Sequence, residues 1–185
     1  MPYLEISLGL KGELTERLKA RGLPLPKHCL VVSVDQQKLW HFSDNAVNEY
    51  RVSTARAGIG CVKDSLQTPT GLLAVSEMIG ADEPKGVVFK GRRPTGQLWQ
   101  EGGPITDNLI TSRILWLEGL EDGVNRGCNA MGQVVDTKER YIYIHGTNQA
   151  AEIGKPNSHG CILLSDDDVI KLFAQVGVGT IVYIK

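Results

Sequence analysis

The sequence has no surplus of charge, no long apolar run and no pattern among its few cysteines. Twenty Lys and Arg stand against 21 Asp and Glu, a formal charge of −1 over 185 residues. Without a basic excess there is no footprint for a nucleic-acid backbone, and without an acidic block there is no solvated tail. The most apolar stretches, residues 30–34 and 110–117, stop far short of the roughly 20 residues that span a bilayer. Neither nucleic acid nor membrane is therefore expected as a partner. The first 21 residues, MPYLEISLGLKGELTERLKAR, also lack a secretory leader's order of basic start, apolar run and small-residue cleavage site. Taking Met1 as the natural start, the expected location is cytoplasmic.

Aromatics are sparse at 6%, yet 42% of residues are hydrophobic. A chain of this length removes roughly 70% of its unfolded surface from water and needs no metal or disulfide staple. The four cysteines, Cys29, Cys61, Cys128 and Cys161, include no C-x-x-C pair and are too dispersed for a disulfide framework. In a reducing compartment each is a small buried hydrophobe, a ligand or a nucleophile.

The pattern along the chain divides it in two. Leu10, Leu14 and Leu18 fall at i, i+4 and i+8, the apolar stripe of a helix stopping at Gly22. Pro24 and Pro26 then favour an extended link. Residues 1–28 thus read as a helical extension and residues 29–185 as the main domain. There CLVVSVD, KLWHFS, EYRVSTA, GLLAVSEMI, GVVFKG, LITSRILWLEG and RYIYIHG are short strand-like runs between Gly, Pro, Asn and Asp clusters, among them an Asp44-Asn45 turn. Ser165 before three aspartates resembles a capping box opening a helix over VIKLFAQV, closed by Gly177 or Gly179, and TIVYIK ends as a strand. The expected class is mainly β with one helix near the C-terminal end.

Chemistry concentrates in YIYIHGTNQAAEIGKPNSHGCILL. His145 ends a run of Tyr141, Ile142, Tyr143 and Ile144, and Ser158-His159-Gly160-Cys161 follows a Gly, Asn and Pro-rich loop. A thiol becomes a good nucleophile as thiolate, and an imidazole in reach supplies the base and an ion-pair partner. Gly160 opens the backbone beside Cys161 to a substrate. Amides around Cys161 are suited to an oxyanion. Two other readings stay open on the residues alone: a structural Cys and His, or a zinc site of His145, His159 and Cys161 with Cys128 or Cys61.

The His-Gly-Thr at 145–147 followed by Ser-His-Gly-Cys at 158–161 resembles the signature of the L,D-transpeptidase (YkuD-type) catalytic domain. Tyr50-Arg51-Val52-Ser53-Thr54, Gly58-Ile59-Gly60, Thr68-Pro69-Thr70-Gly71 and the closing run 179–184 are similar to other strands of that family, so the likeness covers residues 29–185. It implies a β-sandwich-like domain that uses no metal or cofactor and acts on peptidoglycan stem peptides. Its cysteine attacks the amide between stem residue three and the D-Ala at position four. On that likeness Cys161 is the nucleophile and His145 the base, with His159 lining the site and Gly160 and Cys161 giving oxyanion amides. Gly146, Thr147 or Ser158 orients the base, and Tyr143, Gly146, Thr147 and Arg113 contact substrate. The family usually continues Cys-Ile-Arg-Leu, whereas this chain reads Cys161-Ile162-Leu163-Leu164. Arg113 or the Arg92-Arg93 pair is then expected to supply the missing cation as a carboxylate clamp.

An acyl-enzyme of this kind is resolved by water, giving an L,D-carboxypeptidase, or by a second stem's amine, giving a 3-3 crosslink or D-amino-acid exchange. For a cytoplasmic protein meeting soluble muropeptides, hydrolytic trimming in peptidoglycan recycling is the expectation. A stem-peptide-binding module without turnover is the further alternative, motivated by Leu163.

Overall fold

A computed structural model describes residues 2–44, 46–100, 103 and 107–185, with side chains from Ser7 onward in the first helix. Helix α1 (Pro2–Lys19) precedes ten strands. These are β1 (Cys29–Ser33), β2 (Lys38–Phe42), β3 (Val47–Arg51), β4 (Gly71–Ile79), β5 (Val87–Lys90), β6 (Arg93–Leu98), β7 (Ile110–Gly119), β8 (Tyr143–Thr147), β9 (Ile162–Leu164) and β10 (Ile181–Ile184). Helix α2 (Asp166–Phe173) lies between β9 and β10. The strands join into one hydrogen-bonded sheet in the order β3-β2-β1-β10-β4-β7-β5-β6, with β8 also on β7 and β9 on β8. The molecule is mainly β, as its composition of short β-branched runs implies. Among the described residues no helix is long and apolar enough to cross a membrane.

The sheet curls around one core. Leu30 and Val32 of β1, Leu73 and Val75 of β4, Leu115 and Leu117 of β7, Ile144 of β8, Ile162 and Leu164 of β9, and Val182 and Ile184 of β10 all meet there, with Val169 and Leu172 of α2. Alternate residues of the same strands face outward. Cys29, Val31, Leu72 and Tyr183 instead pack under Leu10, Leu14 and Leu18 of α1. Both faces of the central strands are covered, which is why they read as unbroken apolar runs. Polar contacts tie the helix down as well. Tyr183 Oη donates to Glu13 at 2.7 Å, the Arg17 guanidinium lies 4.9 Å over the Tyr183 ring, and Arg21 pairs with buried Glu121.

A third apolar cluster, Val87, Phe89, Ile114 and Tyr143 with Trp116 and Cys161 packed against it, lies on the outer face of β5, β7 and β8. This is the face that carries the site.

Several boundaries differ from the sequence reading. Tyr141 has φ 56° and belongs to a turn, so β8 starts at Tyr143 and His145 sits mid-strand. Helix α2 is capped as expected, the Ser165 Oγ accepting from the Asp168 N–H at 3.2 Å. It ends sooner, at Phe173, because Gly177 and Thr180 close a separate turn into β10. β6 was not expected: RPTGQL is exposed along its whole length, so no apolar alternation marks it. Of the Asp44-Asn45 turn, Asn45 lies outside the described residues.

Leu14 has no exposed surface beneath α1. Leu14→Ala should lower stability by about 2–5 kcal/mol, read as a shift in urea midpoint.

Candidate active site

The site is assembled by a parallel pair. β9 runs alongside β8 with Ile144 opposite Ile162 and His145 opposite Leu163. Ile144 and Ile162 both point into the main core. By strand alternation Tyr143 and His145 therefore face the other way, and Cys161, one residue before Ile162, joins Tyr143 on that outer face. The Cys161 Sγ accepts from the Tyr143 N–H at 3.4 Å and lies 3.6 Å from the Tyr141 carbonyl. The Tyr143 ring meets His145 edge-on at 6.4 Å between centroids.

His145 is held by its own neighbour. Its Nδ1 is 2.7 Å from the Gly146 carbonyl. A carbonyl only accepts, so Nδ1 carries the proton and Nε2 keeps the lone pair of a base. Gly146 has a second reason to be glycine, because a Cβ there would lie 2.5 Å from both the Thr111 carbonyl and Asp166 Oδ1.

The turn that presents the cysteine is fixed from two sides. Ser158 Oγ donates to the Cys161 carbonyl at 2.6 Å and accepts from the Gly160 N–H at 3.1 Å. Thr68 Oγ1 donates to the Gly160 carbonyl at 3.0 Å and accepts from the Ala55 N–H at 3.0 Å. Gly160 sits at φ 131°, and a Cβ would come within 2.9 Å of Ile142 and 3.2 Å of the Gln67 carbonyl. The Val52-Ser53-Thr54 segment lies behind, Ser53 exchanging both backbone bonds with Leu163 and the Thr54 carbonyl accepting from Asn157 and Ser158.

Burial sets the charges. It pushes the Cys161 thiol up to about 11, against smaller lowering effects of the Tyr143 N–H and the Arg140 cation. It drops His145 to about 4, although the Gly146 hydrogen bond opposes the shift. Burial thus favours the neutral thiol and the neutral imidazole over the thiolate–imidazolium ion pair expected from the residue types alone.

Of the residues expected here, Cys161, His145, Ser158, Gly160 and Tyr143 come together. His159 is exposed on the rim of a groove of about 340 Å³ shared with Lys63, Leu66, Arg140, Tyr141 and Ile142. Others are corrected. Gly160's amide already donates to Ser158 Oγ, which removes it as an oxyanion donor. Gly146 is enclosed by Thr111 and Asp166, and Thr147, which donates to Asn108 and accepts from the Gln149 N–H, lines a separate cavity of about 390 Å³ with Trp99 and Asp166. Arg113 lies on the opposite face: its guanidinium donates to the Glu83 and Ser112 carbonyls and stacks on Phe173. Leu163 is buried. No three His, Cys, Asp or Glu side chains converge as a metal site among the described residues.

Two residues escaped the sequence reading. Thr68 was noted only as part of a motif, and its clamp on Gly160 spans 92 positions of sequence. Arg140 donates to the Gly60 and Gln67 carbonyls, at 3.1 and 2.6 Å, and is the cation felt by Cys161. Its only sequence signal was an arginine just before a strand-like run.

Comparison with known proteins gives the family of the chain. The family model described as "YkuD: L,D-transpeptidase catalytic domain" matches residues 27–184. The Escherichia coli (strain K12) protein named "Probable L,D-transpeptidase YcfS" is 29% identical over 160 residues, 84% of this chain and 43% of that protein. Among solved structures, LD transpeptidase LdtMt1 in complex with imipenem superposes with a TM-score of 0.50 at 18% identity, covering 86% of this chain and 59% of that one. An L,D-transpeptidase from Mycobacterium smegmatis gives 0.49 at 20% identity, covering 86% and 58%. The chain spans less than half the length of the curated relatives it matches. At 18% identity the likeness to LdtMt1 speaks for the fold alone, while the match over residues 27–184 speaks for descent: the chain belongs to the YkuD family of L,D-transpeptidase catalytic domains.

Proposed function

We propose that the protein is a cysteine peptidase of peptidoglycan stem peptides, cleaving the bond between residue three and the D-Ala at position four through a thioester. The observation that carries the reading is the half-buried Cys161 Sγ beside the Tyr143 amide, on the same face as a His145 whose Nδ1 is fixed by the Gly146 carbonyl. His145 Nε2 takes the Cys161 proton as Sγ attacks the carbonyl carbon. The tetrahedral oxyanion is met by the Cys161 N–H, since Gly160's amide is engaged by Ser158. Collapse breaks the C–N bond, His145 returns the proton to the departing D-Ala amine, and the acyl group stays on sulfur. Thr68, Ser158 and Gly160 hold the turn that aims Sγ.

Water then resolves the thioester. His145 takes its proton, the C–S bond breaks, and a tripeptide leaves with a new carboxylate. Hydrolysis needs one bound peptide, and a groove of about 340 Å³ lined by Tyr141, Ile142 and His159 is of the size that holds one short segment. Soluble tetrapeptide muropeptides in the cytoplasm are the substrates this reading favours. The L,D-transpeptidase function named for YcfS motivates the second reading, in which an amine replaces water.

Purified protein should convert a disaccharide-tetrapeptide to tripeptide plus D-Ala without an added acceptor, followed by mass spectrometry. Exchange with an added D-amino acid that outruns hydrolysis would establish transfer instead. Cys161→Ala should cut turnover by more than about 10³-fold while keeping the fold, and His145→Ala by about 10²–10⁴-fold.

The neutral pair fixes the pH dependence. The base is lost only as pH falls through the His145 value of about 4, and the thiol ionises only near 11. The kcat/KM profile should therefore stay flat from about pH 5 to 9, with no acid limb at the ordinary histidine value near 6.5. A bell centred near neutrality would show instead that the ion pair is the resting form.

A further inference from the structure

The Lys90-Gly91-Arg92-Arg93 tip of the β5–β6 hairpin pairs Lys90 with Arg93, leaving a two-residue loop. Gly91 has φ 55° and Arg92 φ 65°, the geometry of a tight primed turn. Glycine enters that region freely, but an arginine does so only under strain, its Cβ crowding the backbone. Asn or Gly would form the same turn without it. Strain of this sort persists where the side chain is needed in one place.

The place is beside the nucleophile. The Arg92 guanidinium lies 4.4 Å over the Trp116 ring and 5.2 Å from that of Tyr141, themselves stacked at 5.8 Å. Its Nη1 donates to the Tyr143 Oη at 3.2 Å. Tyr143 is the residue whose N–H touches the Cys161 Sγ, so Arg92 stands one tyrosine's length from the sulfur. Among the described residues no ion pair closes on Arg92, although the Glu77 carboxylate lies near enough to favour its charge, and no protein acceptor takes its other N–H groups. The phenol accepts from Arg92, and burial keeps it protonated, so its own O–H remains to be donated.

We infer that Arg92 and the Tyr143 hydroxyl form a carboxylate-binding corner that grips a carboxylate of the stem peptide while Cys161 attacks. This rests on the function proposed above and deepens it to substrate recognition. The corner suits the purpose: a planar cation resting over two aromatic rings loses little freedom on binding, and its fork matches a carboxylate. The carboxylate of a residue joined to the attacked carbonyl lies about one residue, some 3.8 Å, beyond it. The terminal carboxylate of the departing D-Ala meets that spacing; the free carboxylate of a diamino acid at position three lies farther out, at the end of its side chain, and is the alternative. The exposed neighbour Arg93 has no such setting.

Three ligands separate the cases: the disaccharide-tetrapeptide, its C-terminal amide, and the form amidated at residue three. Binding is read on Cys161→Ala protein by tryptophan fluorescence, because Trp116 lies under the guanidinium. KM and kcat are read on the active protein. Arg92→Gln should weaken tetrapeptide binding and raise KM about tenfold to a hundredfold with little change in kcat, while Arg93→Gln changes neither. Amidation of the gripped carboxylate should cost the parent protein the same factor and cost Arg92→Gln nothing more. A loss confined to the terminal amide assigns the carboxylate to the leaving residue; one confined to residue three assigns it to the acyl residue. Equal affinity of parent and Arg92→Gln for all three ligands, or no binding by either, overturns the clamp. Arg92-dependent binding without turnover would keep the clamp and remove the peptidase reading; turnover with Arg92-independent affinity would do the reverse.

Discussion

The site depends on the three-residue strand β9. Its parallel pairing with β8 aligns Ile144 with Ile162, and that single register decides which face the preceding residue takes. Shifted by one position, Cys161 would point into the core and Ile162 toward solvent. The register is held by apolar burial on one side and by backbone bonds from Ser53 to Leu163 on the other. The polar clamps of Ser158 and Thr68 then fix the turn ahead of it. Catalytic aim here is a by-product of core packing, because the same strand anchors both.

Burial gives the second constraint. A cysteine and a histidine placed in an apolar face both lose charge, and here they lose it in opposite directions. Burial therefore favours an un-ionised Cys161 thiol at neutral pH. A site of this type is protected from indiscriminate oxidation and alkylation, since the thiolate is the species that reacts. Arg140 is the nearby cation that lowers the cost of ionisation, and it also binds the 60–67 loop to the turn before β8. With Leu163 buried as packing, this chain draws its positive charge from outside the Ser-His-Gly-Cys motif.

Much of this was legible in the sequence, and the limits were physical. The stripe of Leu10, Leu14 and Leu18 and the Ser165 cap are local patterns, set by periods and offsets that a linear reading can follow. The His-Gly-Thr and Ser-His-Gly-Cys motifs are local as well, with His145 and Cys161 only 16 positions apart. What escaped was non-local. Thr68 reaches Gly160 across the fold, and Arg140 acts through carbonyls of a distant loop. β6 has no apolar alternation because neither of its faces is buried. Substrate contacts were the least legible: Gly146 and Thr147 are buried in β8, and Arg113, expected as a clamp in place of the missing arginine, bonds the Glu83 and Ser112 carbonyls. Tyr143 was placed near the site, yet its partner Arg92 arrives from a hairpin 51 positions away.

The position of β10 has a consequence for how the chain folds. It is the farthest strand along the sequence, yet it lies at the centre of the sheet, parallel to β1 and antiparallel to β4. Until residues 181–184 have left the ribosome, β1 and β4 present two open apolar edges with no strand between them. Synthesis proceeds at about 5–20 residues per second, so the nascent chain carries these edges for several seconds. Over that interval helix α1 can shield one face of β1, through contacts between Leu14, Leu18 and Val31, while neither edge can be closed. The domain is thus committed to folding after rather than during its own synthesis, with edge-to-edge association as its natural hazard.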